Sequence, residues 1–123
     1  MLTASTDCAR TVVVVDDEQD VREMLRYFLE EEGYRVMEAR DGVEGLALLQ
    51  STPPPCFVLL DLIMPRMDGW EFRKRQMADP GLAKIPVYLS TSALDRVPPG
   101  VPLIPKPVDP VLLLSAVREA CGS

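Results

Sequence analysis

The sequence predicts an open α/β fold, a parallel sheet wound with helices on both faces, and three observations carry that expectation. Short apolar runs alternate with segments of helical apolar periodicity, two of the runs stop abruptly at aspartate, and Gly and Pro punctuate the joins. Thr11 to Val15 is an unbroken β-branched run, as expected of a strand covered on both faces, and it stops at Asp16-Asp17. Val21, Met24, Leu25, Phe28 and Leu29 then recur at i, i+3, i+4, i+7 and i+8, one apolar stripe on a helix that Gly33 can close. Tyr34 to Ala39 reads as a half-exposed strand. Asp41 is an N-cap for a helix through Val43, Leu46, Ala47 and Leu49, which Pro53-Pro54-Pro55 ends. Cys56 to Leu60 is a second fully apolar strand, stopping at Asp61. After the turn Met64-Pro65-Arg66-Met67 a third helix starts at Asp68-Gly69 and should stop near Asp79-Pro80. Pro86 to Thr91 makes a fourth strand and Leu103-Ile104 a short fifth. Asp109-Pro110 is an N-cap followed by proline at the first helical position, opening a last helix through Leu113, Ala116, Val117, Ala120 and Cys121.

With 123 residues the chain has room for one core, so residues 1–123 are read as a single domain, with 1–9 a flexible N-terminal segment. Its formal charge of −6 opposes direct nucleic-acid binding, because phosphate contacts would have to overcome the domain's own field. There is no histidine, and Cys8, Cys56 and Cys121 are distant in sequence and odd in number. Neither a zinc cluster nor a disulfide framework is therefore expected, and a reducing cytoplasm fits best. No apolar run approaches the ~20 residues of a bilayer span, so no membrane association is expected.

In open parallel sheets ligands gather outside the carboxyl ends of the strands. Asp16-Asp17, Asp61, Thr91 and Lys106 all fall at or just past strand ends, so five polar groups should converge. Three carboxylates in one partly buried cleft repel each other, and a hard divalent cation with oxygen ligands, Mg²⁺, is the natural remedy. Mg²⁺ sites of this kind are commonly completed by phosphate oxygens, and a lysine and a hydroxyl suit the spread charge of a transferring phosphoryl group. Singly, each residue has a plainer reading: Asp16-Asp17 as helix caps, Asp61 as a turn acid, Lys106 as a surface lysine. Asp68 reads as a helix cap, and Trp70 and Phe72 as packing residues. The run Arg73-Lys74-Arg75-Gln76 makes the third helix oddly polar, for which the sequence offers no reason.

Val14-Val15-Asp16-Asp17-Glu18, the run Leu60-Asp61-Leu62-Ile63-Met64-Pro65-Arg66-Met67-Asp68-Gly69, the strand from Pro86 to Thr91, and Lys106-Pro107 together resemble the receiver domains of two-component response regulators, the CheY-like family. The resemblance covers essentially the whole chain. It implies a flavodoxin-like, doubly wound, five-stranded parallel sheet of order 2-1-3-4-5. It further implies that Asp16 and Asp17 position Mg²⁺, that Asp61 is a metal ligand and the phosphoacceptor, and that Ile63 lends its backbone carbonyl to the metal. Thr91 resembles the switch hydroxyl, Lys106 the lysine that pairs with acceptor and phosphoryl group, and Pro107 a proline whose peptide bond is often cis. The implied activity is Mg²⁺-dependent uptake of a phosphoryl group from a sensor histidine kinase or phosphotransfer protein, a self-catalysed step followed by slow dephosphorylation rather than turnover of a separate substrate. A protein-interaction surface then switches toward a downstream protein target whose identity cannot be read from the sequence. A metal-dependent phosphatase of the haloacid-dehalogenase type is a rival reading, but such enzymes carry a second Asp two residues after the first, where this chain has Ile63. A non-phosphorylated docking module is a third, made less attractive by the intact set of five polar residues. With no effector domain after Ser123, either a stand-alone receiver or a piece of a longer regulator is expected.

One interval departs from the family pattern. Only 14 residues, 92 to 105, separate Thr91 from Lys106, and they include Pro98, Pro99, Gly100, Pro102 and Pro105. That is too short and too proline-rich for the usual crossover helix, so the fourth helix should be shortened or missing, with at most one helical turn around Ala93 to Val97. Leu103 also stands where the family usually has an aromatic residue. The signal is accordingly expected to leave through the loop after Thr91 and the first and last helices, without dimerisation on a fourth-helix surface.

Overall fold

A computed structural model describes residues 10–51 and 53–122. The expected flexible segment 1–9, Cys8 included, lies outside the described residues. The elements run β1 (Thr11–Val15), α1 (Gln19–Glu31), β2 (Arg35–Ala39), α2 (Gly42–Ser51), β3 (Phe57–Asp61), α3 (Gly69–Ala78), β4 (Val87–Ser90), a single 3-10 turn (Leu94–Arg96) and α4 (Pro110–Cys121). All strand pairs are parallel, in the order β2-β1-β3-β4. β1 and β3 lie in the middle and are buried from end to end, as their unbroken apolar sequences require.

Alternation along the central strands splits the core into two layers. Val13, Val15, Val58 and Leu60 face α2 and α3 and pack with Leu46, Leu49 and Phe72. Val12, Val14, Phe57 and Leu59 face α1 and α4 and pack with Leu25, Leu29, Leu113 and Val117. Each such side chain, fully buried, contributes ~1.5–3 kcal/mol, and the two layers fix the strand ends relative to one another. Caps set the helix starts: Asp41 accepts from Glu44 N–H, Asp68 from Glu71 N–H and Asp109 from Val111 N–H, each at 2.9 Å. Gly33, at φ +95°, supplies the left-handed residue that ends α1. Gly69 is required by crowding, since a Cβ there would lie 2.7 Å from the Asp61 carbonyl oxygen.

Two expectations need correction. The sheet has four strands, not five: the segment around Leu103 sits at the fifth position but makes one isolated parallel bridge, Leu89 to Leu103. It is held by Leu89 N–H to Pro102 O at 2.9 Å, Ile104 N–H to Leu89 O at 2.8 Å and Lys106 N–H to Thr91 O at 3.2 Å. Prolines at 102, 105 and 107 remove donors and restrict their neighbours, so the ladder does not extend. The cysteines are the second correction. Cys56, before β3, and Cys121, ending α4, form a disulfide with Cα atoms 5.1 Å apart across 65 residues of sequence; sequence distance concealed that both sit at the same end of the layer between β3 and α4. The expected loss of a fourth crossover helix holds, because between β4 and α4 only the 3-10 turn forms, closed by Arg96 N–H to Ala93 O at 3.0 Å.

Part of the unexplained polarity of α3 has a structural reason. Gln76 is fully buried, and its amide donates to the carbonyls of Leu82 at 2.9 Å and Ile85 at 3.1 Å, tying the descending loop to the helix. Arg73 donates in turn to Gln76 Oε1 at 2.7 Å, so the buried amide is satisfied on both sides.

The turn leaving β3 is pinned to the start of α2. Arg66 adopts a left-handed backbone, φ +67°, and its Nε lies 2.7 Å from Oδ2 of the buried Asp41; Gly42 N–H donates to Met67 O at 3.1 Å. Burial works to raise the Asp41 carboxyl, but the Arg66 hydrogen bond, backbone donors and the guanidinium charge outweigh it and hold it below the ordinary value.

Under oxidising conditions Cys121→Ser should lose about 2–4 kcal/mol of stability to urea, and dithiothreitol should bring the wild type down to the mutant; a wild type indifferent to reductant would show the bond contributes nothing. Arg66→Ala should be less stable than Arg66→Gly by about 1–2 kcal/mol, the cost of a Cβ in the left-handed region. Because the folded state binds the Asp41 proton less readily than the unfolded state, this carboxylate's contribution is complete above the carboxylate range and is lost as pH falls through about 4 and lower. Asp41→Asn should flatten that acid limb, and an unchanged slope would remove Asp41 from it.

Candidate functional site

The carboxyl ends of β1 and β3 are adjacent, and each strand delivers an acid as it leaves the sheet. Asp16 and Asp61 are nearly fully buried and Asp17 is exposed; one carboxylate oxygen from each falls within 4.8 Å of the others. Asp16 is held in place by its own turn, its Oδ1 accepting from Glu18 N–H at 2.9 Å. Its backbone carbonyl accepts from Arg22 Nη1 at 2.7 Å, and Arg22 is itself anchored to Glu38 at 3.0 Å. The backbone at Ile63 donates to Asp61 Oδ1 at 3.4 Å while the Ile63 side chain is exposed.

Lys106 reaches into this cluster from the segment after the isolated bridge, followed by a cis peptide bond to Pro107. Its ammonium lies 2.8 Å from Asp16, 3.1 Å from Glu18 and 3.3 Å from Asp61. Burial works to lower its pKa, but Asp16 first, then Asp61 and Glu18, outweigh this, and the ammonium is held charged well above its ordinary range. Asp61 is shifted the other way: burial raises its pKa, Lys106 opposes, and the neighbouring Asp16 charge raises it further.

Thr91 is one residue beyond Ser90, which pairs in register with Asp61. The threonine is buried, and its hydroxyl oxygen accepts from Ala93 N–H at 3.0 Å, so it currently holds the start of the loop that follows. Four sequence-singled residues, Asp16, Asp17, Asp61 and Lys106, are thus brought into one cluster, with Ile63 and Thr91 on its edges. Glu18 is the participant that sequence reasoning passed over: it belonged to the quoted acidic run, and only the fold reveals that Lys106 reaches it.

Chemically the site is an imbalance. Three carboxylates, Asp16, Glu18 and Asp61, contact one ammonium and a fourth, Asp17, lies beside Asp16 and Asp61; the donor set is all oxygen with neither thiol nor imidazole. An apolar cleft of about 530 Å³, lined by Val21, Met24, Val108 and Pro110, opens beside it, with Glu18 and Lys106 on its polar edge. Among the described residues no helix is long and apolar enough to cross a membrane.

Comparison with known proteins agrees with this geometry. The family model described as the response regulator receiver domain matches residues 12–98. An uncharacterized 14.6 kDa protein of Leptolyngbya boryana, in the sodA1 3′ region, is 34% identical over 117 residues, covering 89% of this chain and 88% of that protein. The response regulator MprA of Mycobacterium sp. is 50% identical over 60 residues, 49% of this chain and only 26% of that longer protein. Among solved structures, the signal receiver domain of a signal transduction histidine kinase from Syntrophus aciditrophicus superposes with a TM-score of 0.81 at 30% identity, covering 91% of this chain and 89% of that one. The chemotaxis protein CheY4 of Vibrio cholerae gives 0.78 at 28% identity, covering 89% and 97%. With strand-end acids, opposing lysine and fold all in agreement, the chain belongs to the response regulator receiver domain family.

Proposed function

We propose that this receiver domain takes a phosphoryl group from the phosphohistidine of a sensor histidine kinase or phosphotransfer protein onto Asp61, in a Mg²⁺-dependent reaction, and so switches a protein-interaction surface in a phosphorelay. The observation that carries the reading is the excess of four carboxylates over one ammonium at adjoining strand ends, three of the carboxylates within 4.8 Å. Such a cluster is costly until a hard cation enters, and an all-oxygen donor set suits Mg²⁺. Asp16, Asp17 and Asp61 would hold the ion, with the Ile63 carbonyl as a further ligand by resemblance. When bound, it supplies neutralising charge to the phosphoryl oxygens.

Asp61 attacks phosphorus in line through a carboxylate oxygen. The new P–O bond forms as the P–N bond breaks, and the donor imidazole leaves with that electron pair. Lys106, kept protonated by its acidic neighbours, neutralises the acceptor and then the transferred group. The apolar cleft beside the site, with Met24 half exposed, is the approach we assign to the donor protein. Thr91 exchanges its bond to Ala93 for one to the phosphoryl group, which releases the start of the following loop and biases it between two arrangements.

The chain is in this reading a signalling phosphoacceptor and not an enzyme acting on a separate substrate. Dephosphorylation is slow, because Ile63 and Ala93, two residues beyond Asp61 and Thr91, carry no polar side chain to orient a hydrolytic water. The Ile63 side chain equally deprives the phosphatase alternative of its proton shuttle. We place the activity in the cytoplasm, where histidine-kinase donors present phosphohistidine and where the Cys56–Cys121 pair would be kept reduced; the acidic net charge favours protein over nucleic-acid partners.

Acetyl phosphate and Mg²⁺ should add one acid-labile phosphate to the wild type and none to Asp61→Asn, which keeps the side-chain volume but loses the nucleophile. Equal incorporation by the mutant would remove Asp61 from its role. Asp17→Ala, on the exposed rim of the cluster, should weaken Mg²⁺ affinity by tenfold or more, on the order of 1.4 kcal/mol, read by titrating the metal against intrinsic fluorescence; an unchanged affinity would overturn the ligand assignment.

A further inference from the structure

Where a crossover helix is missing, the structure leaves a groove. One wall is α3, presenting Trp70, Lys74 and Met77 at i, i+4 and i+7; the other is the proline-rich loop at Pro98 and Val101; Leu62 and Leu89 form its floor. The groove encloses about 300 Å³ and is almost wholly apolar, and Met77 and Leu94 stand half exposed near it. Its rim is cationic. Arg73 and Lys74 line it, and the Arg96 guanidinium stacks over the Trp70 ring at 5.6 Å. Glu71, on the same helix, is taken up by Arg75 at 2.7 Å, leaving Asp95 as the acid on the neighbouring turn. On a chain of net charge −6, three cations gathered on one apolar groove are a local reversal of sign.

We propose that this groove docks an acidic amphipathic helix of a partner protein. A row of anchors at i, i+4 and i+7 spans about 10.5 Å of helix, the spacing of two turns. A partner helix laid alongside would place apolar side chains at matching intervals on Trp70, Met77, Pro98 and Val101, with its carboxylates toward Arg73, Lys74 and Arg96. The groove is also wired to the acceptor site. Thr91 Oγ1 accepts from Ala93 N–H, Ala93 O accepts from Arg96 N–H, and Arg96 covers Trp70. Movement of Thr91 on phosphorylation therefore changes the groove's rim, and partner affinity follows the state of Asp61. This coupling rests on the proposed phosphoacceptor role; occupancy of the groove does not.

Trp70 is the single tryptophan of the chain, so its fluorescence reports occupancy directly. The probe is a designed helical peptide of about 15 residues with Leu at i, i+3, i+4 and i+7 and Glu on the other face, set against a Lys-for-Glu counterpart and a scrambled sequence. Saturable binding of the acidic peptide alone is expected, weakened by salt and reduced tenfold or more by Lys74→Glu and by Met77→Glu. Both residues are exposed, so circular dichroism should show an intact fold and phosphate uptake at Asp61 should be unchanged. Equal binding of the basic or scrambled peptide, or insensitivity to both substitutions, would overturn the proposal, as would self-association of the chain that buries Trp70 in place of the peptide. Acetyl phosphate with Mg²⁺ should tighten peptide binding several-fold in the wild type but not in Asp61→Asn. Phosphate incorporation without any change in peptide affinity would sink the coupling alone, whereas absent incorporation would strike the phosphoacceptor reading and leave the peptide result standing.

Discussion

The carboxyl edge of this sheet is organised around unbalanced negative charge. Three carboxylates meet one ammonium, with Asp17 close to two of them, in a place where Asp16 and Asp61 are nearly cut off from water. In the absence of a cation the protein reduces the repulsion in two ways. Lys106 is drawn closest to Asp16, at 2.8 Å, and Asp61 is pushed toward protonation by burial and by Asp16. Both are signs of unrelieved repulsion among the carboxylates. A divalent cation between the acids relieves both at once, which is why a site so poorly balanced alone is well suited to a charged ligand. The surrounding fold has the task of keeping the acids from separating: β1 and β3 are buried on both faces, Arg22 holds the Asp16 backbone, and Gly69 lets α3 start against the carbonyl of Asp61.

Most of this arrangement was legible because it is written in local pattern. Thr11 to Val15 and Cys56 to Leu60 have no alternation, so they belong inside a parallel sheet, and an aspartate directly after each must stand at its carboxyl edge. The caps at Asp41, Asp68 and Asp109 follow from residue type and position alone. What escaped was tertiary. Nothing near Cys56 announces that Cys121 ends beside it, because the pairing depends on α4 crossing back over β3. Gln76 looked like one more polar residue in a polar helix, and only the path of the loop through Leu82 and Ile85 makes it a buried clamp. Arg66 is similar, since its partner Asp41 is 25 residues away and reads locally as a simple cap. The fifth strand was overstated for a different reason: Leu103-Ile104 has the right side chains, but the prolines on either side leave too few donors for a ladder.

The same prolines decide where the domain can change shape. A crossover helix packs as a rigid body and moves as one, whereas the segment after Thr91 has one 3-10 turn and is held by a few separate bonds. Its bonds to the sheet edge are Leu89 N–H to Pro102 O, Ile104 N–H to Leu89 O and Lys106 N–H to Thr91 O, and its start is held by Ala93 N–H donating to Thr91 Oγ1. Two of these four involve Thr91, and the other two meet Leu89 on β4. Segments with few buried contacts and few backbone bonds open at low free-energy cost, so a rearrangement begun at Thr91 need not shift a whole helix to be felt at the surface.

The two faces of the sheet also differ in how firmly they are packed. The face formed by α1 and α4 is backed by the core layer of Leu25, Leu29, Leu113 and Val117. Packed layers of this kind resist small displacements. The opposite face, between α3 and the proline-rich loop, has only partly buried residues at its margin, among them Trp70, Val97 and Val101. The two faces therefore differ in stiffness, one backed by a packed layer and the other open at its margin. The loss of a crossover helix is what sets them apart, since it leaves a groove on one side of the sheet where the other side is closed by packed helices.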